Sequence, residues 1–256
     1  RGARQQHQLG ISGGSENARY YVSFGGLDHS GILAPENFQR YNTRLNIDLD
    51  ISERIRIGTS TLGVYSIEDG GNRNFFSEAV ANSPLTQPYD ENGELRLQPK
   101  PDAQRTNPLI EVLPETYDDR DITQRILSNI YAEFHASENL NFRINFSPDL
   151  RSIKENRFQA ERSRARQGNP ALAQTNSINT FEYTWENLVY YSRELAENHT
   201  INLTGLFSIQ QNQRERDGVT VVGIPLNDMR YHNLGAAEEI TDAWSDFRKW
   251  SLVSYM

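Results

Sequence analysis

The sequence predicts an all-β protein: an antiparallel transmembrane β-barrel fragment of about nine strands, with short periplasmic turns and long extracellular loops. Three observations predict it. Apolar and polar residues alternate over long runs, the period-2 mark of a strand with two unlike faces. Several runs reach about twice the usual 5–6 residues of a soluble strand, and a bilayer strand needs about 9–11. Short and long connections also alternate along the chain, as they do when sequential strands reverse direction across a membrane.

The elements follow in order. Strands are expected near 6–13, 18–28, 38–51, 55–68, 121–135, 140–158, 177–195, 200–214 and 246–256. In the third, Thr43, Leu45, Ile47, Leu49 and Ile51 share one side, while Arg40, Asn42, Arg44, Asn46, Asp48 and Asp50 share the other. In the sixth, Leu140, Phe142, Ile144, Phe146 and Leu150 oppose Asn141, Arg143, Asn145, Ser147, Asp149 and Arg151, and Pro148 stands among the apolar set. Phe181, Tyr183, Trp185, Val189 and Tyr191 line one side of the seventh, with Asn187 as the exception. Ile201, Leu203, Gly205, Phe207 and Ile209 do so in the eighth. Apolar residues do not recur at helical spacing, apart from a possible helical turn within Leu234–Ala243. Short turns fall at Gly14–Asn17, Ser52–Arg54, Ala136–Asn139 and Ala196–His199. Long connections fall at His29–Asn37, Asp69–Arg120, Gln159–Asn176 and Glu215–Ser245.

Aromatic residues agree with this layout. Tyr41, Tyr65, Phe181 and Tyr183 lie on apolar faces near the long-loop end. Tyr20, Phe134, Phe142 and Tyr191 lie on apolar faces near the short-turn end, so the two sets form the expected interfacial girdles. A plain preference of aromatics for strands would give a similar pattern. Polar rows such as Arg40, Arg44 and Asp48, or Arg143, Asp149 and Arg151, would then look into the lumen. An Arg or Lys on the lipid side would cost about 2–4 kcal/mol at the midplane.

Composition bounds the function. The chain has 256 residues, a net charge of −8 and no cysteine, so no disulfide or thiolate metal site is available. The acidic balance argues against a nucleic-acid partner. No run of about 18 apolar residues exists, which excludes a transmembrane helix but not a barrel. The chain starts at Arg1 and stops within the strand-like pattern Ser251–Met256, so residues 1–256 are expected to be part of one longer barrel domain.

No catalytic constellation is found, and no cofactor or metal is expected. The histidines (His7, His29, His135, His199 and His232) are scattered without metal-ligand spacing, and no phosphate-cradling loop occurs. Asp90-Glu91-Asn92-Gly93-Glu94 reads as a polar turn rather than a calcium loop. The sequons at Asn198 and Asn202 are treated as chance. Arg162, Arg164 and Arg166 read first as a solvated loop, and second as a contact for anionic lipopolysaccharide or a partner lipoprotein. Loop aromatics Phe75, Phe76, Tyr89, Tyr117, Tyr231 and Trp244 are the candidates for stacking on a substrate, with mutual loop packing as the rival reading.

Several motifs then carry a resemblance. The turn Gly13-Gly14-Ser15 leads into a strand containing Tyr20-Tyr21, and Leu27-Asp28-His29-Ser30-Gly31-Ile32 and Phe38-Gln39-Arg40-Tyr41-Asn42-Thr43 follow. Ser83-Pro84-Leu85 through Asn92-Gly93, Tyr183-Thr184-Trp185-Glu186-Asn187 and His199-Thr200-Ile201-Asn202-Leu203 continue the series in order. Together they resemble the barrel of SusC-like TonB-dependent transporters, the SusC/RagA family. His29-Ser30-Gly31 departs from the family's frequent Gln-Glu-Gly.

The resemblance implies an outer-membrane nutrient importer that is not an enzyme, located in a Gram-negative, Bacteroidetes-like bacterium. It implies a whole protein of about 22 strands around a plugged lumen, with no plug in this stretch. Its partners would be the lipid bilayer, a SusD-like surface lipoprotein and the TonB complex, reached through the plug. Its cargo would be oligosaccharides or peptides. A soluble β-rich carbohydrate-binding or structural module is the alternative reading, and a siderophore-type TonB-dependent receptor is a further one.

Overall fold

The computed structural model describes residues 2–32, 36–70, 74–99, 105–113, 115–196 and 199–256, without the side chains at 74, 76, 77 and 196. Nine strands form one antiparallel sheet in sequence order, with β1 and β9 as its edges. They are β1 (Ala3–Gly14), β2 (Ala18–Ser30), β3 (Asn37–Ser52), β4 (Ile55–Gly70), β5 (Tyr117–Ser137), β6 (Leu140–Gln159), β7 (Leu172–Ala196), β8 (His199–Val222) and β9 (Glu239–Tyr255). A helix, α1 (Asn74–Ala81), stands in the β4–β5 connection. Each predicted strand is present, and short and long connections alternate as the sequence implied.

Register fixes which side chains share a face. Tyr20 opposes Ile47, Thr59 opposes Ile130, Phe146 opposes Trp185, and Ile209 opposes both Trp185 and Val253. These residues belong to one apolar face, hereafter the outer face. Its large side chains stay exposed, among them Phe24, Tyr41, Ile57, Ile126, Ile130, Phe134, Ile144 and Trp185. A soluble sandwich would bury such a face under a second layer; here it is bare. Among the described residues, no charged side chain occupies the outer face over Tyr41–Ile51, Ile55–Ile67, Ile122–Phe134 or Leu140–Leu150. On β5 the exposed band runs from Ile126 to Phe134, close to the span a tilted bilayer strand needs.

The band also drifts across the register. On β4 the outer face stays apolar up to Ile67, whereas on β8 it turns polar above Ile209, at Gln211 and Gln213. Yet Ile209 and Thr59 lie on the same register row, through Trp185, Phe146 and Ile130. A level membrane crosses the rows obliquely only if the strands tilt, as barrel closure requires.

The opposite, lumenal face is a polar lattice. Arg143 pairs with Glu133 at 2.5 Å, and its guanidinium lies 4.2 Å from the centre of the Tyr131 ring. Arg56 pairs with Asp50, the Tyr131 hydroxyl donates to Asp48, and Gln210 and Asn212 both donate to Glu182. The predicted lumenal rows of Arg40, Arg44, Asp48 and of Arg143, Asp149, Arg151 lie on this side.

Strand ends and connections differ from expectation. Strand β7 starts at Leu172 rather than 177, β8 runs to Val222 rather than 214, and β9 starts at Glu239 rather than 246. Stretches such as Thr175–Ser177 and Glu215–Gly218 are polar or small on both faces, so hydrophobic alternation fades while backbone pairing continues. Above the band, the outer face is covered by the β8–β9 connection. Phe158, Ala173 and Val221 of adjacent strands pack there with Ile224 and Tyr231 in a small core. Helix α1 was not anticipated, and the turn expected within Leu234–Ala243 is a single 3-10 turn, Leu234–Ala236, before β9 begins.

The two faces make opposite predictions for one added charge. In the full-length protein, Ile130→Arg should destabilise the barrel by about 2–4 kcal/mol. Asn129→Arg, its lumenal neighbour, should cost far less. Denaturant unfolding in lipid vesicles measures both, and equal losses would contradict the facing.

Candidate functional site

The β-turn and loop chemistry builds a mouth at the long-loop end. On the lumenal face a concavity of about 560 Å³ opens between the ends of β2–β7, lined by Phe38, Glu68, Asp119, Asp121, Glu155, Arg157 and Asn176 among others. Register brings three carboxylates side by side: Glu68 opposes Asp121, which opposes Glu155. Like charges placed directly opposite destabilise a sheet. One rung higher, Arg157 reaches Asp119 at 3.3 Å, and Asn176 donates to Glu155 at 3.2 Å. Burial, followed by the charges of Asp119, Glu155 and Glu68, pushes the Asp121 carboxyl up to about 6. Asp121 lies beyond the lipid band of β5, where Arg120 pairs with Asp69 on the outer face.

Above the strands the long connections are bound to one another. Glu78 of α1 is 1% exposed and meets Arg164 of the β6–β7 connection at 2.8 Å and Arg105 at 3.4 Å. The Arg164 backbone N–H donates to the buried Glu111, and the Ala160 N–H donates to Thr116 at 2.8 Å. Arg162 donates to the Leu95 carbonyl at 2.7 Å, and Arg166 to that of Pro170 at 2.8 Å. Arg162 is exposed and Arg164 and Arg166 are half-buried, and each of the three is bonded to the loops themselves. Arg162 and Arg164 clasp the β6–β7 connection to the β4–β5 connection, and Arg166 closes a bond within its own. A third tie joins Arg230 to Asp118 at 2.7 Å, with Asp118 buried. The Asp90 carboxylate accepts N–H groups of Asn92 and Glu94, and Gly93 takes a positive φ of 83°, which is a polar turn.

The five aromatic candidates whose side chains are described do not converge. Tyr89 is exposed beside the Asp90–Glu94 turn of the β4–β5 connection, and Phe75 is half-buried on α1. The Phe76 side chain lies outside the described residues. Tyr117 is buried, and its hydroxyl donates to Asp119 at 3.3 Å. Tyr231 is packed into the outer-face core, and burial raises both phenols above the usual range. Trp244 stacks against Arg216 at 5.1 Å, over Gly218, where any Cβ would meet the indole.

No family model matches the sequence. TonB-dependent receptor P26 of Formosa agariphila is 26% identical over 251 residues, covering 96% of this chain. TonB-dependent receptor P3 of the same organism is 25% identical over 263 residues, covering 99%. The chain spans about a quarter of these relatives, 25% and 26% of their lengths. Among solved structures, the RagAB peptide importer in its open-open state superposes on 98% of the chain with a TM-score of 0.80 at 17% identity. The chain covers 28% of that partner. The chain is similar to TonB-dependent receptors and has the fold of a SusC/RagA-like transporter barrel wall. The SusC/RagA-like wall also matches P. aeruginosa FpvA, bound to pyoverdine, but with a TM-score of 0.51 at 9% identity. FpvA therefore shares the architecture less closely than RagAB does.

The carboxylate row and the loop clasp were missed by the sequence reading, because both depend on partners far apart in the chain. Each generates a prediction for the full-length transporter. Asp121 takes up a proton at higher pH when folded than its ordinary value of 3.8 allows when unfolded. The folded state thus holds the extra proton between about pH 4 and 6, and stability declines as pH rises through that window. Asp121→Asn should remove this decline, raising the denaturation midpoint at pH 7.5 and leaving it unchanged below about pH 4. Arg164→Ala leaves the buried Glu78 carboxylate with its weaker partner, at a cost of about 3 kcal/mol to local loop stability. Limited proteolysis should then cut within 160–171 faster than in the wild type, with the strands still protected.

Proposed function

We propose that the whole protein is an outer-membrane nutrient importer of a Gram-negative, Bacteroidetes-type bacterium, and that residues 1–256 are one part of its barrel domain. The observation that carries this reading is the wall itself. Its bare outer face fits hydrocarbon, its charged face fits an aqueous lumen, and the same wall recurs in a protein described as a peptide importer. A plug inside the barrel, energised through TonB, would open the path. A SusD-like surface lipoprotein would close over the long loops. Cargo would be an oligosaccharide or a peptide, meeting the mouth beside Glu68, Asp121 and Glu155. Among the aromatic candidates, Tyr89, Phe75 and Phe76 on the β4–β5 connection and Trp244 on the lumenal face would be the stacking surfaces. Tyr117 and Tyr231 would act by holding the loops in place.

The reading is tested with the full-length gene in its own host. Affinity purification from outer membranes should bring down a surface lipoprotein in equal amount. Uptake of fluorescent oligosaccharide or peptide mixtures should fall to the level of the gene deletion when TonB is removed. Uptake that persists without TonB would contradict it.

A further inference from the structure

We infer that the lumenal wall carries a binding strip for an extended anionic cargo, formed by a row of arginines across β5–β9; this rests on the importer reading and names its substrate class. The register places them in line. Arg125 opposes Arg151, Arg151 opposes Thr180, Thr180 opposes Arg214, and Arg214 opposes Arg248. All five share the face of Asp149, Glu182 and Asn212, which is the lumenal one. Five adjacent strands at about 4.8 Å spacing make the row about 19 Å long.

The charges are unevenly spent. Arg125 forms a two-pronged pair with Asp149 at 2.9 and 2.6 Å, and Arg248 pairs with Asp246 at 2.9 Å. Arg151 and Arg214 are exposed to the lumen and have no carboxylate partner among the described residues. They stand on strands about 10 Å apart, with Thr180 between them. One rung above, Arg216 has its Nε buried without a hydrogen-bond partner.

Two like-charge pairs, Arg125 with Arg151 and Arg214 with Arg248, sit directly opposite in the sheet, an arrangement that costs stability. A lumen that needed only wetting would be served by Thr, Asn or Gln at these positions without that cost. Guanidinium groups present a planar fork that fits carboxylate, sulfate or phosphate with two parallel hydrogen bonds. The strip therefore suits a chain bearing such groups at intervals of about 10 Å, or at a fraction of it. The acidic row above it, at Glu68, Asp121 and Glu155, belongs to β4–β6 and does not extend to Arg214 and Arg248 on β8 and β9.

The test uses the full-length transporter in detergent and three fluorescent probes of equal length: oligogalacturonate, sulfated dextran oligosaccharide and unmodified dextran oligosaccharide. At least one anionic probe should bind about tenfold more tightly than the neutral one at low salt, and added salt should shrink the preference. The double variant Arg151→Gln, Arg214→Gln should lose about tenfold in anionic affinity without changing neutral binding. Should that variant fail to fold, Arg151→Lys with Arg214→Lys keeps the charge and loses the fork, and anionic affinity should still fall severalfold. Equal binding of charged and neutral probes would overturn the inference. So would an anionic preference that survives in the variants, including the case in which they only loosen the plug and expose it to trypsin. TonB-dependent uptake scored in parallel separates the two readings: import that continues without anion preference removes the strip and keeps the importer.

Discussion

Everything in this wall depends on a near-continuous ladder of antiparallel backbone hydrogen bonds. In hydrocarbon no water can satisfy a stray N–H or C=O, so a spanning sheet must pair its backbone along the full depth of the membrane. The described register does this from β1 to β9 except where Ser128 and Asn129 meet Ser147 and Pro148, which has no N–H to give, and three of its four register shifts sit beside short turns, at Asp50/Ser52, His135/Ser137 and Glu194/Ala196. A bulge inside the band would turn every following side chain to the wrong side. Keeping bulges at the turns lets Ile130 and Asn129 hold opposite faces for the whole crossing.

That same constraint explains what the sequence shows and what it hides. Period-2 alternation is local, so Leu140–Leu150 announces a two-faced strand without knowledge of its neighbours. Strand ends above the membrane lose this signal, because Thr175, Asn176 and Ser177 need satisfy no lipid. Rows across the sheet are not local at all. Arg125, Arg151, Arg214 and Arg248 are unremarkable one at a time, and so are Glu68, Asp121 and Glu155. Only the register, set by turn lengths and bulges together, aligns them. The Arg162–Arg166 run is the sharpest case. Its charge pattern suggests solvent or an anionic partner, yet Arg164 is turned inward by Glu78 and Glu111, which lie far back in the chain.

The loops and the strands are held by different physics. Within the band, apolar contact with lipid and backbone pairing suffice, and the lumenal ion pairs are half-exposed and individually weak. Above the band there is no hydrocarbon, so the outer face needs a cover, and Phe158, Ala173 and Val221 obtain one from the β8–β9 connection. The β6–β7 connection, residues 160–171, has no large apolar residue, and a buried carboxylate bridged by two arginines holds it to the β4–β5 connection instead. Such a bridge adds little over a well-packed apolar contact, but removing one partner is costly. It therefore fixes where the loops meet more than how strongly.

The arginines could not stand on the other face of the same strands. In water, two unit charges about 4 Å apart interact by about 1 kcal/mol, and salt reduces this further. A single arginine at the lipid midplane costs about 2–4 kcal/mol by itself. The lumen is thus the one surface of this wall on which a row of like charges can be kept unpaired at modest expense. Arg151 and Arg214 are exposed there without a carboxylate, while Arg120 and Arg230, on the outer face above the lipid, are each matched to an aspartate. Above the lipid and outside the barrel, Arg120 and Arg230 are neutralised by the chain itself. Inside it, part of that charge is left for whatever enters.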